Sequence, residues 1–306
     1  MTGALSVGRE GDYAAVRSLT FDDVVFTYVV DGVLLMRPDT FFPAIPAEHW
    51  SRHPELFMTA GELPMSAGGL LVEIADTTLL VDAGVGAMTT DFGSIGRADC
   101  GSLLDVLQAV GRRPEDVELL AFTHLHFDHA GWAFSPPGTQ GAKTFPNARY
   151  ALARREWAPY AEGEPGSEVA TASHVISALA SDPDLVLIDD NDVIVPGVRA
   201  IVTSGHSPGH TSYVITSRTG RRLIVLGAAF HITGQLGHPH WLSVADADAA
   251  GVTAARRRLL AELSEPNTVG FGFHFGDQPF GRVVSGVDGA PAWVPVPTSV
   301  LAPPPR

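Results

Sequence analysis

Three histidines and one aspartate lie within six consecutive residues of the chain. They are His124, His126, Asp128 and His129, in the order His-x-His-x-Asp-His. Imidazole nitrogen is a preferred ligand of zinc, iron and copper in proteins. On an extended segment His124 and His126 point to the same side, whereas Asp128 and His129 reach a second point only after a turn. The segment therefore predicts a transition-metal site.

A short apolar segment precedes these residues and positions them. Residues 117–122 contain mostly apolar side chains in a run of strand length, which is typical of a buried strand. The ligands then lie where a strand ends and a loop begins. Such loops carry a large share of catalytic and binding residues.

Hydrophobic patterns predict the elements around the motif. Residues 24–36 are typical of a β-hairpin with Asp31 and Gly32 at its turn. Residues 246–263 predict a long amphipathic helix with Arg256 on or near its solvent-exposed face. Strands are also predicted at residues 70–74, 78–81, 185–188, 198–202, 212–216, 223–226 and 268–271, and helices at 103–110, 154–161 and 168–180. Periodicity alone therefore indicates an α/β or α+β protein.

The chain divides into one large domain with a segment at each end. Residues 1–20 are expected to form a loose N-terminal arm, 21–290 the domain, and 291–306 a Pro-rich irregular tail. Within the domain, residues 37–64 are rich in proline and aromatic side chains. They predict either a lid or dimer arm, or a segment packed onto the core by its aromatics. Residues 151–181 predict an inserted pair of helices.

Composition narrows the class of partner and the compartment. The formal net charge is −14, which argues against nucleic acid because phosphate contacts need Lys and Arg. One cysteine excludes an internal disulfide and fits a reducing compartment. The chain shows neither a signal-peptide pattern at its start nor an apolar run of about 18 residues. We expect a cytoplasmic enzyme with a small-molecule substrate and no membrane partner. The aromatic segment within residues 41–57 predicts a homodimer.

The metal motif resembles that of the metallo-β-lactamase-fold hydrolases, and the likeness covers roughly residues 25–280. Three more segments carry it: Leu80 to Gly84, the Gly-His-Ser-Pro-Gly-His run that begins at Gly205, and Phe273-His274-Phe275. The local context at residues 41–43, 145–150 and 238–241 resembles the lactonase-like and organophosphate-hydrolase-like branch. The resemblance implies an α+β fold, a four-layer αββα sandwich.

The resemblance also implies two sets of metal ligands. A first zinc would be held by His124, His126 and His206, leaving a fourth position open for water, as in catalytic zinc sites. A second ion would be held by Asp128, His129 and His274. Asp82 would orient the ligand loops from outside the coordination sphere. His210 is expected to support or pack against the ligands.

Residue 228 departs from the pattern of the resembling family. An aspartate that bridges both metals normally follows the strand after the third histidine, but the sequence here is Leu226-Gly227-Ala228. Without that carboxylate, repulsion between two dications grows, so we expect one zinc, or two with a weakly bound second. Ala228 is either native, giving a mononuclear or altered enzyme, or an inactivating substitution.

The resemblance places further residues around the substrate. His231 lies three residues after Ala228, where lactonases of the family often carry a tyrosine that hydrogen-bonds to the substrate carbonyl. Asp128 or His231 would pass a proton to the leaving oxygen. The substrate pocket is expected to be walled by Trp132, His238, His240 and Trp241.

These features together predict a zinc-dependent hydrolase of a lactone, ester or thioester, acting through metal-activated water. Three alternatives use the same fold: a phosphotriester hydrolase, a metal-binding protein without hydrolytic activity, and a biosynthetic lyase or cyclase. The loss of the bridging aspartate favours the second alternative. The six intact ligand positions argue against it.

Overall fold

A computed structural model describes residues 5–58, 61–135, 141–164, 169, 171–286 and 288–303. The strands in these ranges are β1 (Leu5–Ser6), β2 (Val16–Phe21), β3 (Val24–Met36), β4 (Leu63–Ile74), β5 (Thr77–Val81), β6 (Met88–Asp91), β7 (Gly96–Cys100), β8 (Leu119–Ala121), β9 (Arg149–Ala153), β10 (Val186–Ile188), β11 (Val193–Val195), β12 (Val198–Val202), β13 (Thr211–Thr216), β14 (Arg222–Val225), β15 (Thr268–Phe271), β16 (Phe280–Ser285), β17 (Pro291–Pro295) and β18 (Thr298–Ala302).

The helices are α1 (Pro38–Phe41), α2 (Ala47–Arg52), α3 (Leu103–Ala109), α4 (Phe127–Ala130), α5 (Arg154–Ala161), α6 (Ser173–Ala180), α7 (Gly234–Gly237) and α8 (Ala249–Leu263). Single turns of 3₁₀ helix lie at Pro54–Leu56 and Pro114–Asp116. Among the described helices, none is both long and apolar enough to cross a lipid bilayer.

The strands form two sheets that pack face to face. The larger has 11 strands, with the main order β1-β18-β2-β3-β4-β5-β8-β9-β10, and the smaller has the order β11 to β17. Alternate residues of the smaller sheet face opposite layers, as strand geometry requires. On β14, Leu223 and Val225 enter the core shared with the larger sheet, whereas Ile224 packs with Leu259 and Leu263 of α8. The α+β sandwich predicted from the resemblance is confirmed.

The metal motif and its partners lie at the ends of parallel strands. β5, β8 and β9 are parallel neighbours in the larger sheet, and β14 and β15 are parallel in the smaller. Because parallel strands end at one edge of a sheet, the residues that follow them meet there. Asp82 follows β5, the His124 loop follows β8, and Ala228 and His274 each come three residues after paired strand ends.

The predicted hairpin over residues 24–36 is wrong, because this segment is the single strand β3. At the predicted turn, the register with β4 shifts between Val30 and Gly32, which marks an irregularity of the β-bulge kind. The Asp31 side chain is buried and accepts hydrogen bonds from three backbone N–H groups and the Trp132 indole. A bulge, and not a turn, therefore accommodates this polar residue.

The predictions for the two ends of the chain are also wrong in the described residues. In place of a loose arm, β1 and β2 belong to the larger sheet, and Arg17 Nε donates to Asp277 Oδ1 at 2.6 Å. In place of an irregular tail, β17 and β18 extend the two sheets. Pro291 and Pro295 bound β17, an edge strand, where a missing N–H is tolerated. Residues 1–4 and 304–306 lie outside the described part of the chain.

Two internal segments frame the site. The described residues of the segment 37–64 pack their aromatic side chains onto the domain, with Phe42 fully buried and Phe41 facing the cavity described below. The predicted helical pair is present as α5 and α6, although residues 151–153 belong to β9. Residues 165–168, within its connection, lie outside the described residues.

Candidate metal centre

The loops after β8 and β12 bring together His124, His126 and His206. One ligand atom from each lies within 4.8 Å of the others. Their ring centroids are 4.4 to 4.8 Å apart, and Nε2 of His206 is 3.0 Å from Nδ1 of His126. All three side chains are buried. The three ring nitrogens therefore converge on one small volume.

Hydrogen bonds fix which nitrogen of the His124 and His206 rings faces this volume. The Thr123 hydroxyl donates to Asp82 Oδ2 at 2.7 Å, so it accepts from Nδ1 of His124, 2.9 Å away. Nδ1 of His206 donates to Asp246 Oδ1 at 2.8 Å. In both rings Nε2 then carries a lone pair directed at the centre. This arrangement, a ligand imidazole held by an outer oxygen, recurs at protein zinc sites.

Asp128, His129 and His274 form a second group beside the first. Oδ2 of Asp128 is 3.4 Å from Nε2 of His129 and 3.8 Å from Nε2 of His274. Nδ1 of His129 donates to Asp82 Oδ2 at 2.7 Å, and Nδ1 of His274 donates to the Ser66 carbonyl at 3.0 Å. Asp82 therefore orients ligand candidates of both groups, His129 directly and His124 through Thr123.

The residues present fit a bound transition metal. Nε2 of His124, His129 and His274 is buried and has no hydrogen-bond partner among the described residues. Leaving a buried polar nitrogen unpaired costs about 1–3 kcal/mol, so three of them in one place indicate a missing partner of positive charge. Imidazole-rich sets with one carboxylate suit zinc better than calcium or magnesium, which prefer oxygen.

The electrostatics of the two groups differ. Burial lowers the pKa of His124 and His126 well below the ordinary value, so both rings are neutral at pH 7. For His129 burial also acts to lower the pKa, but the carboxylates of Asp128 and Asp82 outweigh it and raise the pKa to about 10. Without a metal, His129 therefore carries the positive charge of the second group.

A buried glutamate joins the two loops of the first group. Oε1 of Glu156, on α5, accepts from the Leu125 N–H at 3.0 Å. Oε2 accepts from the Ser207 hydroxyl at 2.7 Å and from the Gly209 N–H at 2.8 Å. The inserted helix therefore helps to position the loops that carry His124 and His206.

His210 supports the loop at residue 228, in the role predicted for it. Its Nε2 accepts from the Ala228 N–H at 3.0 Å, and its Nδ1 is 2.8 Å from the Thr203 hydroxyl. Gly227 has φ +59°, and a Cβ there would lie 2.4 Å from His210 Nε2. Only glycine allows this close approach between the two loops.

An apolar cavity of about 330 Å³ opens beside both groups. His126, His206 and Asp128 lie at its polar end, together with Ala228 and His231. The other lining side chains are all apolar: Leu34, Met36, Phe41, Met65, Met88, Phe92, Ile95, Phe127, Val169, Val244 and Ala245. A cavity of this size with a few polar groups at one end is typical of a small-molecule site.

The predicted pocket residues Trp132, His238, His240 and Trp241 do not line this cavity in the described part of the chain. The Trp132 indole N–H donates to Asp31 Oδ1 at 2.8 Å, which directs the ring to the β3 bulge. Trp241 is buried and stacks on His238 at 3.8 Å between ring centroids, and His238 lines a separate cavity of about 530 Å³. His240 is exposed. Trp132 was assigned because it follows the metal motif, and the other three because they form a rigid aromatic stretch around Pro239. Packing directs these residues elsewhere.

Several supporting residues were not found from the sequence. Asp246 has no assigned role in the sequence analysis, yet its carboxylate accepts a hydrogen bond from Nδ1 of His206 at 2.8 Å. Arg256 was predicted near the solvent-exposed face of α8 but is fully buried, with Nε donating to the Ala229 carbonyl at 2.6 Å and Nη2 3.3 Å from Asp246. The charge on Asp246 explains why arginine is tolerated there. Glu156 carries no sequence signal, since its partners, the backbone N–H groups of Leu125 and Gly209 and the Ser207 hydroxyl, lie 31 or more residues away along the chain.

A comparison of the sequence with protein-family models gives a result that agrees with the fold and with the clustered ligand candidates. Residues 69–263, well over half of the chain, match the metallo-beta-lactamase superfamily. The chain belongs to this superfamily.

Relatives and solved structures narrow the resemblance. An N-acyl homoserine lactonase of Bacillus cereus is 30% identical over 131 residues, which are 42% of this chain and 45% of that protein. The chain therefore matches less than half the length of this relative. The dizinc quorum-quenching lactonase AidC has the same fold, with a TM-score of 0.77 and 22% identity over 93% of this chain and 98% of that one. The hydrolase AbOPH gives a TM-score of 0.74 and 23% identity over the same shares.

Proposed function

We propose that this protein is a zinc-dependent hydrolase that opens lactones bearing an apolar side chain. The observation that carries the proposal is the position of the two ligand groups at the polar end of an otherwise apolar cavity. The partial match to an N-acyl homoserine lactonase supports a lactone over other esters. Small organic molecules are the proposed partners, and the formal net charge of −14 disfavours binding to the phosphates of nucleic acid.

Zinc would be held by His124, His126 and His206, with a second ion at Asp128, His129 and His274. When bound, zinc supplies a Lewis acid that polarises a carbonyl and acidifies water. The apolar walls of the cavity exclude bulk water and hold the side chain of the lactone. This holds the ring carbonyl at the polar end, beside Asp128 and His231.

The protein's own groups would then move the proton. Water oxygen adds to the carbonyl carbon and loses a proton, which Asp128 would accept; the ring C–O bond breaks, and the leaving oxygen would take that proton from Asp128. Burial acts to raise the pKa of Asp128, but the imidazoles of His129 and His274 outweigh it and hold the pKa well below its usual range. Asp128 is a weak base but, once protonated, a strong acid toward the leaving oxygen. Burial lowers the pKa of His231 well below its ordinary value, so this ring has no spare proton at pH 7.

A substrate panel tests the function. Lactones with side chains of increasing length, an aryl ester and a phosphotriester would be compared by kcat/KM in zinc-loaded protein. We expect lactones to be preferred, with kcat/KM rising about fourfold per methylene until the cavity is filled, from about 0.8 kcal/mol per buried CH₂. Preference for the phosphotriester would favour that alternative, and turnover of no substrate would refute a hydrolase.

A variant pair tests the role of the ligand groups. His124→Ala should lower kcat/KM by at least about a thousandfold, because both polarisation and water activation depend on the ion. His240→Ala is the matched control, since that imidazole is exposed and does not line the cavity. An unchanged rate in His124→Ala would rule out the metal-dependent mechanism.

A further inference from the structure

His231 lies between the two ligand groups without belonging to either. Its ring centroid is 5.0 Å from that of His206 and 5.3 Å from that of His274. The ring planes of His231 and His274 are only 9° apart. Within the groups themselves, ring centroids are 4.4 to 4.8 Å apart in the first, and His129 and His274 are 5.3 Å apart. His231 is therefore about as close to one member of each group as the members of the groups are to one another.

The protein holds His231 in place but leaves one ring nitrogen unpaired. The backbone N–H of His231 donates to the Gln235 side-chain oxygen at 2.7 Å, and the side-chain amide of Gln235 donates to the Trp241 carbonyl at 2.8 Å. The rings of Phe41 and Phe42 pack edge-on against the imidazole. The residue is only 2% exposed, and its Nδ1 is buried with no hydrogen-bond partner among the described residues.

The unpaired Nδ1 of His231 lies beside the two ligand groups, so a metal partner there can account for it. Such an atom costs about 1–3 kcal/mol unless something pairs with it. The other unpaired imidazole nitrogens of this centre, on His124, His129 and His274, all belong to the ligand groups. Cations at the two groups would pair with three of these nitrogens, and a cation that also lies next to His231 would pair with its Nδ1.

Ala228 leaves room for this arrangement. It lines the same cavity as His231 and follows β14, at the level where His274 follows the parallel strand β15. A methyl group cannot bind a metal, so a coordination position that an acidic side chain at residue 228 would fill has no ligand from that residue. His231 is only three residues further along the same loop.

We propose that His231 is a ligand of the metal centre and takes the coordination position that the side chain of Ala228 cannot fill. This inference rests on the proposed metal centre, not on the identity of the substrate. A neutral imidazole in place of a carboxylate removes one negative charge from the centre. Asp128 is then the one acidic ligand, which favours one tightly bound dication over two.

Cadmium-113 NMR of the full-length wild-type protein tests the proposal directly. Scalar coupling between ¹¹³Cd and imidazole ring protons identifies each coordinating histidine. We expect coupling to His231, giving one imidazole more than the ligand groups supply. Cadmium-loaded protein in which the His231 ring protons show no coupling would overturn the proposal.

Variants provide a second measurement. His231→Phe keeps a ring of similar size but removes both nitrogens, and it should weaken zinc binding at least tenfold and change the visible spectrum of the Co²⁺-loaded protein. The double variant Ala228→Asp with His231→Phe should regain the lost affinity, because a carboxylate returns to the vacated position. His240→Phe is the control. Unchanged zinc affinity and Co²⁺ spectrum in His231→Phe would contradict the proposal.

The outcomes separate this inference from the function on which it rests. Wild-type protein that binds neither zinc nor cadmium would refute both. Wild-type protein that binds metal through His231 but opens no lactone would refute the substrate class alone. Metal binding and lactone turnover without coupling to His231 would refute the ligand role alone.

Discussion

Oε2 of Glu156 lies 2.7 Å from the hydroxyl oxygen of Ser207, and this contact joins an inserted helix to the loop that carries His206. The other carboxylate oxygen accepts from the Leu125 N–H, between His124 and His126. One buried side chain thereby fixes the distance between the two loops that supply the first ligand group. Its position follows from α5, which continues directly from β9.

Glu156→Gln should weaken zinc binding about 10- to 100-fold, as expected for residues that orient metal ligands. The amide NH₂ would face either the Leu125 N–H or the Gly209 N–H, so at least one of the three hydrogen bonds is replaced by repulsion. Zinc affinity measured by competition with a chromophoric chelator checks this. Glu162→Gln is the control, because Glu162 is exposed beyond the end of the same helix. Equal affinity in both variants would show that Glu156 does not position the ligands.

Arg256→Met should destabilise the protein by about 3–5 kcal/mol, because it leaves Asp246 buried without its cation. Both side chains of this pair are fully buried, and Arg256 also donates to the carbonyls of Ala229 and Trp241, on the loop that carries His231. Urea unfolding of the metal-free protein measures the loss. Arg257→Met, at an exposed neighbouring position, should stay within about 0.5 kcal/mol of wild type. Similar losses of unfolding free energy in both variants would show that the buried pair of Arg256 and Asp246 does not contribute specifically to stability.

Zinc binding at Asp128, His129 and His274 should release about one proton per ion near pH 7. His129 has a pKa of about 10 in the metal-free protein, so its ring must lose a proton before it can bind a metal. The apparent affinity should therefore rise about tenfold per pH unit between roughly pH 7 and 9. Titration calorimetry in buffers of different ionisation enthalpy measures the released protons.

The first group provides the internal contrast for this pH dependence. Burial keeps His124 and His126 neutral, so zinc binding there should release no proton from either ring near pH 7. His129→Ala should retain this group and lose the released proton of the second. Binding heats of the wild type that do not depend on the buffer would contradict the assignment of the charge to His129.

Ala228→Asp should strengthen binding of a second zinc by at least about tenfold. A carboxylate between two dications reduces their mutual repulsion, which the present residue cannot do. Stepwise zinc titration of the wild type and of Ala228→Asp provides the comparison. Ala229→Asp is not a suitable control, because Ala229 lies in a buried apolar cluster and a carboxylate there would disturb packing. If the wild type already holds two zincs tightly, the idea that Ala228 weakens the second site is wrong.

The sequence predicted the centre of the fold better than its edges. His124, His126, Asp128 and His129 are specified locally by one strand end and one turn, so their spacing was informative. His206 and His274 came from resemblance, since nothing in the sequence itself says that loops 70 residues or more apart meet. The hairpin at residues 24–36 was misread because Asp31 and Gly32 favour a turn and a bulge equally well.

The supporting residues needed tertiary contacts to be seen. Asp246 precedes α8 and looks like a helix-start residue, whereas its role comes from where the loop places it beside His206. Arg256 follows the charge pattern of an exposed helix face, but the buried carboxylate of Asp246 changes the environment of that face. Trp241 was assigned to the substrate pocket by its neighbours in sequence, and its stacking on His238 directs it away.

The most direct test of the metal centre is the zinc content of full-length protein purified without chelator. We predict about one tightly held zinc per chain in the wild type, and loss of that zinc in the double variant His124→Ala, His206→Ala, with His240→Ala unchanged. Wild-type protein that takes up no zinc when it is supplied in excess, or a double variant that retains the full amount, would contradict the account.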